Sequence, residues 1–366
     1  MSEAQRAWWA TRVAVFTASL VGVWGLSGKP GDALPGWLFR WDRWDAQLFT
    51  KVAQFGYQGY PEHYPDRGVV AFFPGLPAVE RGLHVFGLGY RAAGLLVSLF
   101  AGAVACAAMA RIARLEGGDG RLPAHAVLAL LLSPYAVFLA AGYSEALFLA
   151  LALPAWLAAR RGGWQLAGCL CALSCFVRIT GVFLAIALVV EYVVQHRARI
   201  RPDAAWLMVP GLALLTLLVH QHEVTGDWLG WQHAQRDVWG RRFTNPVGAF
   251  HTTWRGAFGE SGLTAEYTWS FRAEILAVLV GLALTCWLLW RRRWAESTYV
   301  GLQVATLATS SFYLSVARAS LLWWPLWIGL AQLGLRRPAL RTGYVAVSAP
   351  IMLVMVVVFT QGRWVG

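Results

Sequence analysis

Two acidic side chains stand three positions apart in the stretch "RWDRWDAQLFTKVAQFGY", which covers residues 40–57. On a helix, Asp42 and Asp45 would share one face. The apolar residues around them recur at near-helical spacing, which predicts an amphipathic helix in a membrane interface, where a carboxylate meets lipid headgroups and water. The alternative is that both acids are solvated surface charges that pair with the bases beside them, Arg40, Arg43 or Lys51.

Three more ionisable residues stand in otherwise apolar sequence. Glu145 follows Tyr143 and Ser144 within "LSPYAVFLAAGYSEALFLALALPAW", Arg178 lies in "FVRITG", and Arg318 lies in "SVARASLLWW". A charge at membrane depth costs about 3 kcal/mol at a helix centre and less near the ends, so it indicates a functional site. The rigid fork of arginine donors suits phosphate, so both arginines are candidates for binding a lipid phosphate. The simpler interpretation of either arginine alone is a snorkelling side chain that anchors a helix end.

The composition sets the class of protein. Of the 366 residues, 58% are hydrophobic, 14% are charged and 21 are tryptophan, and the mean hydropathy is +0.50. Apolar runs of about 20 residues, enough to cross the hydrocarbon core, recur along the chain. The sequence therefore predicts an all-α polytopic membrane protein with one transmembrane domain over residues 1–366. The net charge of +12 comes from short basic clusters between apolar runs, unlike the basic patch that binds nucleic acid, so no nucleic-acid partner is predicted.

The basic clusters also predict the topology. Placing them on the cytoplasmic side gives roughly eleven spans, with the N-terminus cytoplasmic and the first span kept as a signal anchor. Two long polar segments, 28–91 and 221–273, then lie on the outer face, where amphipathic helices and any chemistry are expected because long connections tend to be functional. Alternatively, residues 164–195 form one kinked pair of helices rather than two full crossings of the membrane. The predicted spans are 8–27, 92–113, 122–141, 145–159, 164–178, 181–195, 204–220, 274–290, 297–315, 319–335 and 342–360.

The second polar segment begins with "QHEVTGDWLGWQHAQRDVWGRRFTNP", residues 221–246. Aromatic faces and hydrogen-bonding groups suit a sugar headgroup, and cations suit anionic lipid, so His233 and Arg236 are candidate acceptor-binding residues. The alternative is an interfacial helix with an aromatic belt. The cysteines fall inside apolar runs and the histidines are irregularly spaced, so neither a disulfide nor a metal site is predicted.

Four stretches in the first half of the chain carry a family resemblance. In chain order they are "RWDAQLFTKVAQFGY", "AFFPGLP" at 71–77, "SPYAVFLAAGYSEALFLAL" at 133–151 and "VRITG" at 177–181. They resemble the successive motifs of the PIG-V family, whose best-known members add the second mannose of the glycosylphosphatidylinositol anchor in the endoplasmic reticulum. Ile179 and Thr180 depart from the polar residues that usually follow the arginine of the last motif, which bears on acceptor contacts rather than on the chemistry.

The resemblance implies a GT-C glycosyltransferase fold with its active site on the outer face and a polyprenyl-phosphate-mannose donor. In that fold an acid of the first outer loop is the catalytic base. The match of Trp-Asp-Ala implies Asp45, with Asp42 as the second choice because "RWD" occurs twice. A carboxylate that takes the proton of an acceptor hydroxyl contributes about 10²–10⁴-fold. Arg178 and Arg318 would stabilise the departing lipid phosphate in a single inverting displacement.

The resemblance also implies partners. Tyr143, Ser144 and Glu145 either orient sugar hydroxyls or hold Arg178 through an ion pair. Because the donor arrives linked to a lipid, no nucleotide-sugar site and no cofactor are expected, and the use of lipid-linked mannose argues against a metal at the two acids. The acceptor is expected to be a glycolipid, a polyprenol-linked glycan or a protein.

Two other classes of protein stay open. A flippase or other transporter of lipid-linked sugars predicts internal repeats and broken helices in matching halves, whereas the polar groups here gather on one face. A noncatalytic membrane subunit would only bind lipid or stabilise a partner enzyme. Sparse lysine with abundant alanine, glycine, arginine and tryptophan is typical of a GC-rich bacterial genome, which predicts a multi-pass protein of a bacterial plasma membrane.

Overall fold

The structure is a computed structural model that describes residues 3–25, 34–58, 67–117, 120–259 and 262–366. Within these ranges the chain forms α-helices and short 3₁₀ segments, and one isolated antiparallel bridge joins Phe243 and Ser310. The predicted all-α class is confirmed for the described residues. The helices are α1 Glu3–Gly25, α2 Leu34–Trp41, α3 Asp45–Phe55, α4 Gly75–Val85, α5 Tyr90–Leu115, α6 Leu122–Leu131, α7 Ser144–Arg160, α8 Trp164–Val177, α9 Thr180–His196, α10 Val209–Thr225, α11 Gly230–Asp237, α12 Pro246–Phe258, α13 Ala265–Trp290, α14 Trp294–Ala308, α15 Val316–Ala319, α16 Trp324–Arg336 and α17 Pro338–Thr360.

Four helical stretches among the described residues are long and apolar enough to cross a membrane. They are Tyr90–Leu115, Pro202–Thr225, Ala265–Trp290 and Pro338–Thr360. In the second of them a 3₁₀ segment runs directly into α10. Helices α6, α8 and α9 are apolar but shorter. The prediction of a membrane protein with several spans is confirmed, and the number eleven stays a prediction.

The predicted span 122–141 is wrong in its extent. Helix α6 has ten residues and ends at Leu131. Pro134 follows, and a proline disfavours the helical conformation in the residue before it. A 3₁₀ turn, Ala136–Leu139, and an irregular stretch then precede α7. This break places the "AAGYSEA" motif, residues 140–146, at the turn that leads into α7.

Other predicted boundaries also shift. The predicted span 297–315 ends at Ala308, where α14 stops, and the predicted span 319–335 begins only with α16 at Trp324. The region 164–195 forms two helices, α8 and α9. Arg178 between them has an extended backbone, with φ of −154° and ψ of 151°. Among the predicted amphipathic helices of the polar segments, α2, α3, α4, α11 and α12 are present.

The chain forms two compact units that alternate along the sequence. The first unit comprises Met1–Gln47, Gly82–Leu153 and Leu321–Val365, and the second comprises Leu48–Arg81 and Pro154–Ser320 with Gly366. The candidate acids and the "YSE" group belong to the first unit, and the candidate arginines belong to the second. The assignment of one transmembrane domain to residues 1–366 stays a prediction.

Helix α1 is the common partner of α5, α6 and α17 in the first unit. Helix α5 approaches it closely at Gly102, where an added Cβ would lie 2.3 Å from the Trp8 ring. The Arg12 guanidinium lies over the same ring, 4.6 Å from its centroid, which is a favourable cation–π distance. Trp8 thus packs α1 against α5 and also covers the buried Arg12 guanidinium.

The second unit pairs α8 with α10, α9 with α14, and α13 with both α12 and α14. An ion-pair network joins the ends of three of its helices. Arg293 donates to the buried Glu296 at the start of α14, and Arg160 Nη1 lies 3.8 Å from the same carboxylate. Arg160 Nε also lies 3.4 Å from Glu191 of α9. The network opposes sliding of α7, α9 and α14 along one another.

We expect Gly168→Ala to destabilise the second unit, because the new Cβ of α8 would lie 2.2 Å from the backbone oxygen of Trp206. Overpacking of this kind typically costs about 1–3 kcal/mol. Gly211→Ala in α10 is the matched control, since nothing lies within 4 Å of its added Cβ and alanine is the better helix former. Thermal unfolding in detergent measures both variants. Equal melting temperatures for the two would contradict the close approach.

Candidate active site

The "RWDRWDA" motif forms a turn between two helices. Helix α2 ends at Trp41 and α3 begins at Asp45, and Trp44 between them has a positive φ of 52°. The prediction that Asp42 and Asp45 share one face of a single helix is therefore wrong. A residue other than glycine holds such a conformation only where its surroundings impose it. Here the Trp44 ring packs edge-on against Trp364, with the centroids 5.1 Å apart.

Asp42 is a buried partner in an ion pair. Its side chain is 7% exposed, and Oδ2 accepts a hydrogen bond from Arg91 Nε at 2.5 Å. The Arg91 guanidinium also stacks over the Phe39 ring, 4.0 Å from its centroid. Gln47 Nε2 donates to the Asp42 backbone oxygen at 2.8 Å. These contacts make Asp42 a residue that joins α5 to the motif.

Asp45 occupies a different environment. It is half-buried and lies in the first turn of α3, where the helix dipole favours a negative charge. Ala46, the next residue, is buried and lies near Gly142 of the "AAGYSEA" motif, 3.9 Å from where a Cβ on that glycine would stand. Of the two acids, Asp45 is the more accessible, and it adjoins a second motif.

The "AAGYSEA" turn packs against α5 and the "RWDRWDA" turn. Ser98 Oγ donates to the Ala141 backbone oxygen at 2.5 Å, and a Cβ on Gly142 would lie 3.5 Å from the Gly94 backbone. The buried Tyr143 donates its hydroxyl to the Arg43 backbone oxygen at 3.1 Å. The structure therefore brings Asp42, Asp45 and Tyr143 together in the first unit.

Ser144 and Glu145 are both buried in the first turn of α7. Their predicted contacts with sugar hydroxyls, like that of Tyr143, stay predictions.

The end of α17 also packs against the two turns. The sequence did not indicate this contact. Phe359 of α17 lies 6.2 Å from Trp41 and 5.9 Å from both Phe138 and Tyr143 between ring centroids. Gly362 has a φ of +81°, and a Cβ there would lie 3.4 Å from the Arg43 guanidinium carbon. The only available sequence signal was the aromatic and glycine content of "QGRWVG" after the last apolar run.

Residues 67–73 meet the second polar segment within the second unit. Trp231 Nε1 donates to the Ala71 backbone oxygen at 3.2 Å, and Trp239 Nε1 donates to that of Gly68 at 3.1 Å. Gln221 Nε2 donates to the Val70 oxygen at 3.2 Å. Parts of the two predicted outer segments therefore lie at the same end of this unit.

The two predicted acceptor-binding residues of this segment lie on its surface in local pairs. His233 Nδ1 lies 2.5 Å from Asp227 Oδ2, and this hydrogen bond is the main reason that the pKa of Asp227 lies below its usual value. Arg236 donates to both carboxylate oxygens of Asp237, at 2.7 and 2.9 Å, and lowers the pKa of that group. The proposed sugar contacts of His233 and Arg236 stay predictions.

Arg178 lies where two motifs of the resemblance meet. The arginine is half-buried at the break between α8 and α9. Phe176, two residues before Arg178, packs closely on the "FPG" turn, since a Cβ on Gly75 would lie 2.8 Å from the Phe176 backbone oxygen. Arg178 is also close enough to Tyr299 of α14 for an electrostatic interaction. The structure thus joins "AFFPGLP" to "VRITG" within the second unit.

Arg318 lies in the short helix α15 and is 8% exposed. The backbone just before it is bound by Glu274 of α13, whose carboxylate accepts hydrogen bonds from the amides of Ser315, Val316 and Ala317. Sequence reasoning missed Glu274. The available signal was a single acid within the apolar run of "FRAEILAVLVGLALTCW". Because a charge at membrane depth is unfavourable, such an acid indicates a functional or structural site.

We expect Tyr143→Phe to lower the free energy of unfolding by about 1 kcal/mol, because the Arg43 oxygen loses its buried donor. Tyr344→Phe is the matched control, since that hydroxyl donates to the Ala129 backbone oxygen at 2.6 Å in the same unit. Hydrogen exchange at residues 43–47 should rise only in the Tyr143 variant. Equal exchange there in both variants would show that Tyr143 does not hold the turn.

Part of the chain is similar to curated mannosyltransferases. The chain is similar to GPI alpha-1,6-mannosyltransferase 2 of Mus musculus, with 38% identity over 167 residues, 43% of this chain and 32% of that protein. The Rattus norvegicus protein of the same name is 39% identical over 163 residues, 41% of this chain and 31% of that protein. The matched region spans about a third of the length of these curated relatives.

Solved structures with similarity include two of an Archaeoglobus fulgidus oligosaccharyltransferase. One, in complex with Zn and sulfate, has a TM-score of 0.44 at 13% identity and covers 96% of this chain and 53% of that chain. The other, tethered with an acceptor peptide, has a TM-score of 0.46 at 12% identity and covers 98% and 56%. The family model of glycosyltransferase family 87 matches residues 82–317. Since this match covers well over half of the chain, the protein belongs to glycosyltransferase family 87.

Proposed function

We propose that this protein transfers mannose from a polyprenyl-phosphate-mannose donor to a lipid or glycan acceptor, with Asp45 as the general base. Membership of a glycosyltransferase family supports sugar transfer. Similarity to relatives named as mannosyltransferases supports mannose as the sugar. A GT-C fold, a cytoplasmic N-terminus and an active site on the outer face of a bacterial plasma membrane are parts of the same proposal.

The difference between the two acids is the observation that carries the assignment of the base. Asp42 is buried beside Arg91, and its Oδ2 accepts a hydrogen bond from the Arg91 guanidinium. Asp45 is half-buried at the start of α3. A general base must come within hydrogen-bond reach of the hydroxyl that it deprotonates, and Asp45 is the more exposed of the two acids.

The proposed reaction is one in-line displacement. Asp45 accepts the proton of the acceptor hydroxyl as its oxygen forms a bond to the anomeric carbon of mannose. The bond between that carbon and the phosphate oxygen breaks, and the lipid phosphate leaves with the electron pair. Arg178 and Arg318 stabilise the negative charge that develops on the phosphate. A β-linked donor gives an α-mannoside by inversion.

We expect Asp45→Asn to reduce mannose transfer at least about 100-fold, because it removes the general base, while the binding of donor stays close to that of wild type. The measurement is transfer of radiolabelled mannose from polyprenyl-phosphate mannose to a membrane lipid extract by the purified protein. Asp42→Asn and Arg91→Gln are the paired controls. If Asp42 is structural, these two variants lose a similar and smaller fraction of activity.

Three outcomes would contradict the proposal. Full activity in Asp45→Asn would exclude Asp45 as the base. Inactivity of Asp42→Asn beside an active Arg91→Gln would transfer that role to Asp42. Absence of product from wild type despite donor binding, together with movement of the lipid-linked sugar across vesicle membranes, would favour the flippase.

A further inference from the structure

A carboxylate in the first half of α13, a helix long and apolar enough to cross a membrane, binds a short loop of the second unit. Glu274 lies in α13 and is 1% exposed. Its Oε1 accepts a hydrogen bond from the Ser315 amide at 2.8 Å, and Oε2 accepts from Val316 at 2.7 Å and Ala317 at 3.1 Å. Glu274 and residues 315–317 are 41 to 43 positions apart in sequence, so this contact is purely tertiary.

The backbone of the loop is shaped to receive an anion. Ser315 has a positive φ of 62°, a left-handed conformation that a residue other than glycine adopts at a cost. This conformation lets successive amides converge on one point, a concave arrangement that binds anions. The Glu274 carboxylate fills it, and the three hydrogen bonds compensate for burying a charge in an apolar helix. Carboxylate and loop therefore each depend on the other.

The loop is also fixed on its other side. The fully buried Thr253 of α12 accepts a hydrogen bond from the Tyr313 amide at 2.8 Å. Tyr313 and Ala317 bound a stretch of five residues that is held by two helices, and Arg318 follows it directly. Because α15 is only four residues long, its own hydrogen bonds cannot set its direction. The contacts at Glu274 and Thr253 fix the backbone immediately before Arg318.

The charges around Glu274 give the carboxylate a second role. Arg241, from the second polar segment, is close enough to interact with it electrostatically. Replacing Glu274 with a neutral residue would leave the converging amides and Arg241 without this negative charge. Repulsion would then favour movement of the loop away from its present place.

We propose that Glu274 is a positioning residue, which holds residues 315–317 so that Arg318 is directed at the phosphate of a polyprenyl-phosphate lipid. This inference rests on the proposed function, in which Arg318 binds that phosphate. Glu274 itself does not touch the substrate. Its effect on lipid binding therefore passes through Arg318.

A double-mutant cycle tests this dependence. The probe is undecaprenyl phosphate, titrated into the full-length protein in nanodiscs, and the variants are Glu274→Gln, Arg318→Gln and the double variant. We expect each single change to weaken binding about tenfold to a hundredfold, the loss of one charge-assisted contact, and the double variant to bind no more weakly than Arg318→Gln. Glutamine keeps the shape and one acceptor oxygen, so the fold is retained.

Glu296→Gln is the matched control, because Glu296 is also a buried acid of the second unit but pairs with Arg293. It should leave the binding of undecaprenyl phosphate within about twofold of wild type. Hydrogen exchange at the amides of 315–317 should rise in Glu274→Gln and stay unchanged in Glu296→Gln. Mannose transfer by Glu274→Gln should show a raised KM for the donor with a smaller change in kcat.

The outcomes separate this inference from the proposed function. Additive losses in the double variant, or unchanged exchange at 315–317 in Glu274→Gln, would overturn the positioning role while wild type still binds the lipid. Failure of wild type to bind undecaprenyl phosphate or to transfer mannose would overturn the proposed function, and the positioning role with it. The exchange data would then still report whether Glu274 holds the loop.

Discussion

In a chain of 58% hydrophobic residues, polar groups away from water must find partners within the protein, because each unmet group costs several kcal/mol in an apolar medium. A helix meets this requirement for its own backbone, but a break between helices cannot. Three breaks among the described residues are bound by side chains from distant positions. Tyr143 donates to the backbone of Arg43, Ser98 to that of Ala141, and Glu274 accepts three amides. The candidate site residues Asp45 and Arg318 lie next to two of these breaks, and Arg178 lies at the break between α8 and α9.

The same requirement gives the two acids of the first motif different roles. Periodicity placed Asp42 and Asp45 on one helical face, and that prediction was wrong because a turn at Trp44 separates α2 from α3. The turn depends on Trp364 and Tyr143, which lie far away in sequence. Its consequence is chemical: Asp42 is buried in an ion pair with Arg91, and Asp45 is left half-buried beside the "AAGYSEA" turn.

Tryptophan has a comparable role in the second unit. The indoles of Trp231 and Trp239 donate to backbone oxygens 160 and 171 positions away, and their rings pack edge-on against Phe73 and Phe72. These two tryptophans are therefore structural links between the polar segments. Of the three tryptophans in residues 221–246, Trp228, which is 52% exposed and stacks on His222, is the one that fits the predicted aromatic belt or a sugar.

The amino-acid sequence by itself determined the membrane class, the helical content and the approximate positions of most helices, because apolar length and periodicity are local properties that a helix expresses directly. It also located the motifs that indicate sugar transfer. Only the tertiary structure decided that a turn separates two helices after Trp41 and which polar groups meet. Asp42 with Arg91 and Glu274 with residues 315–317 are 41 to 49 positions apart. Such pairs depend on how helices pack, which local sequence does not fix, and they decide which charge is buried and which is left near the surface.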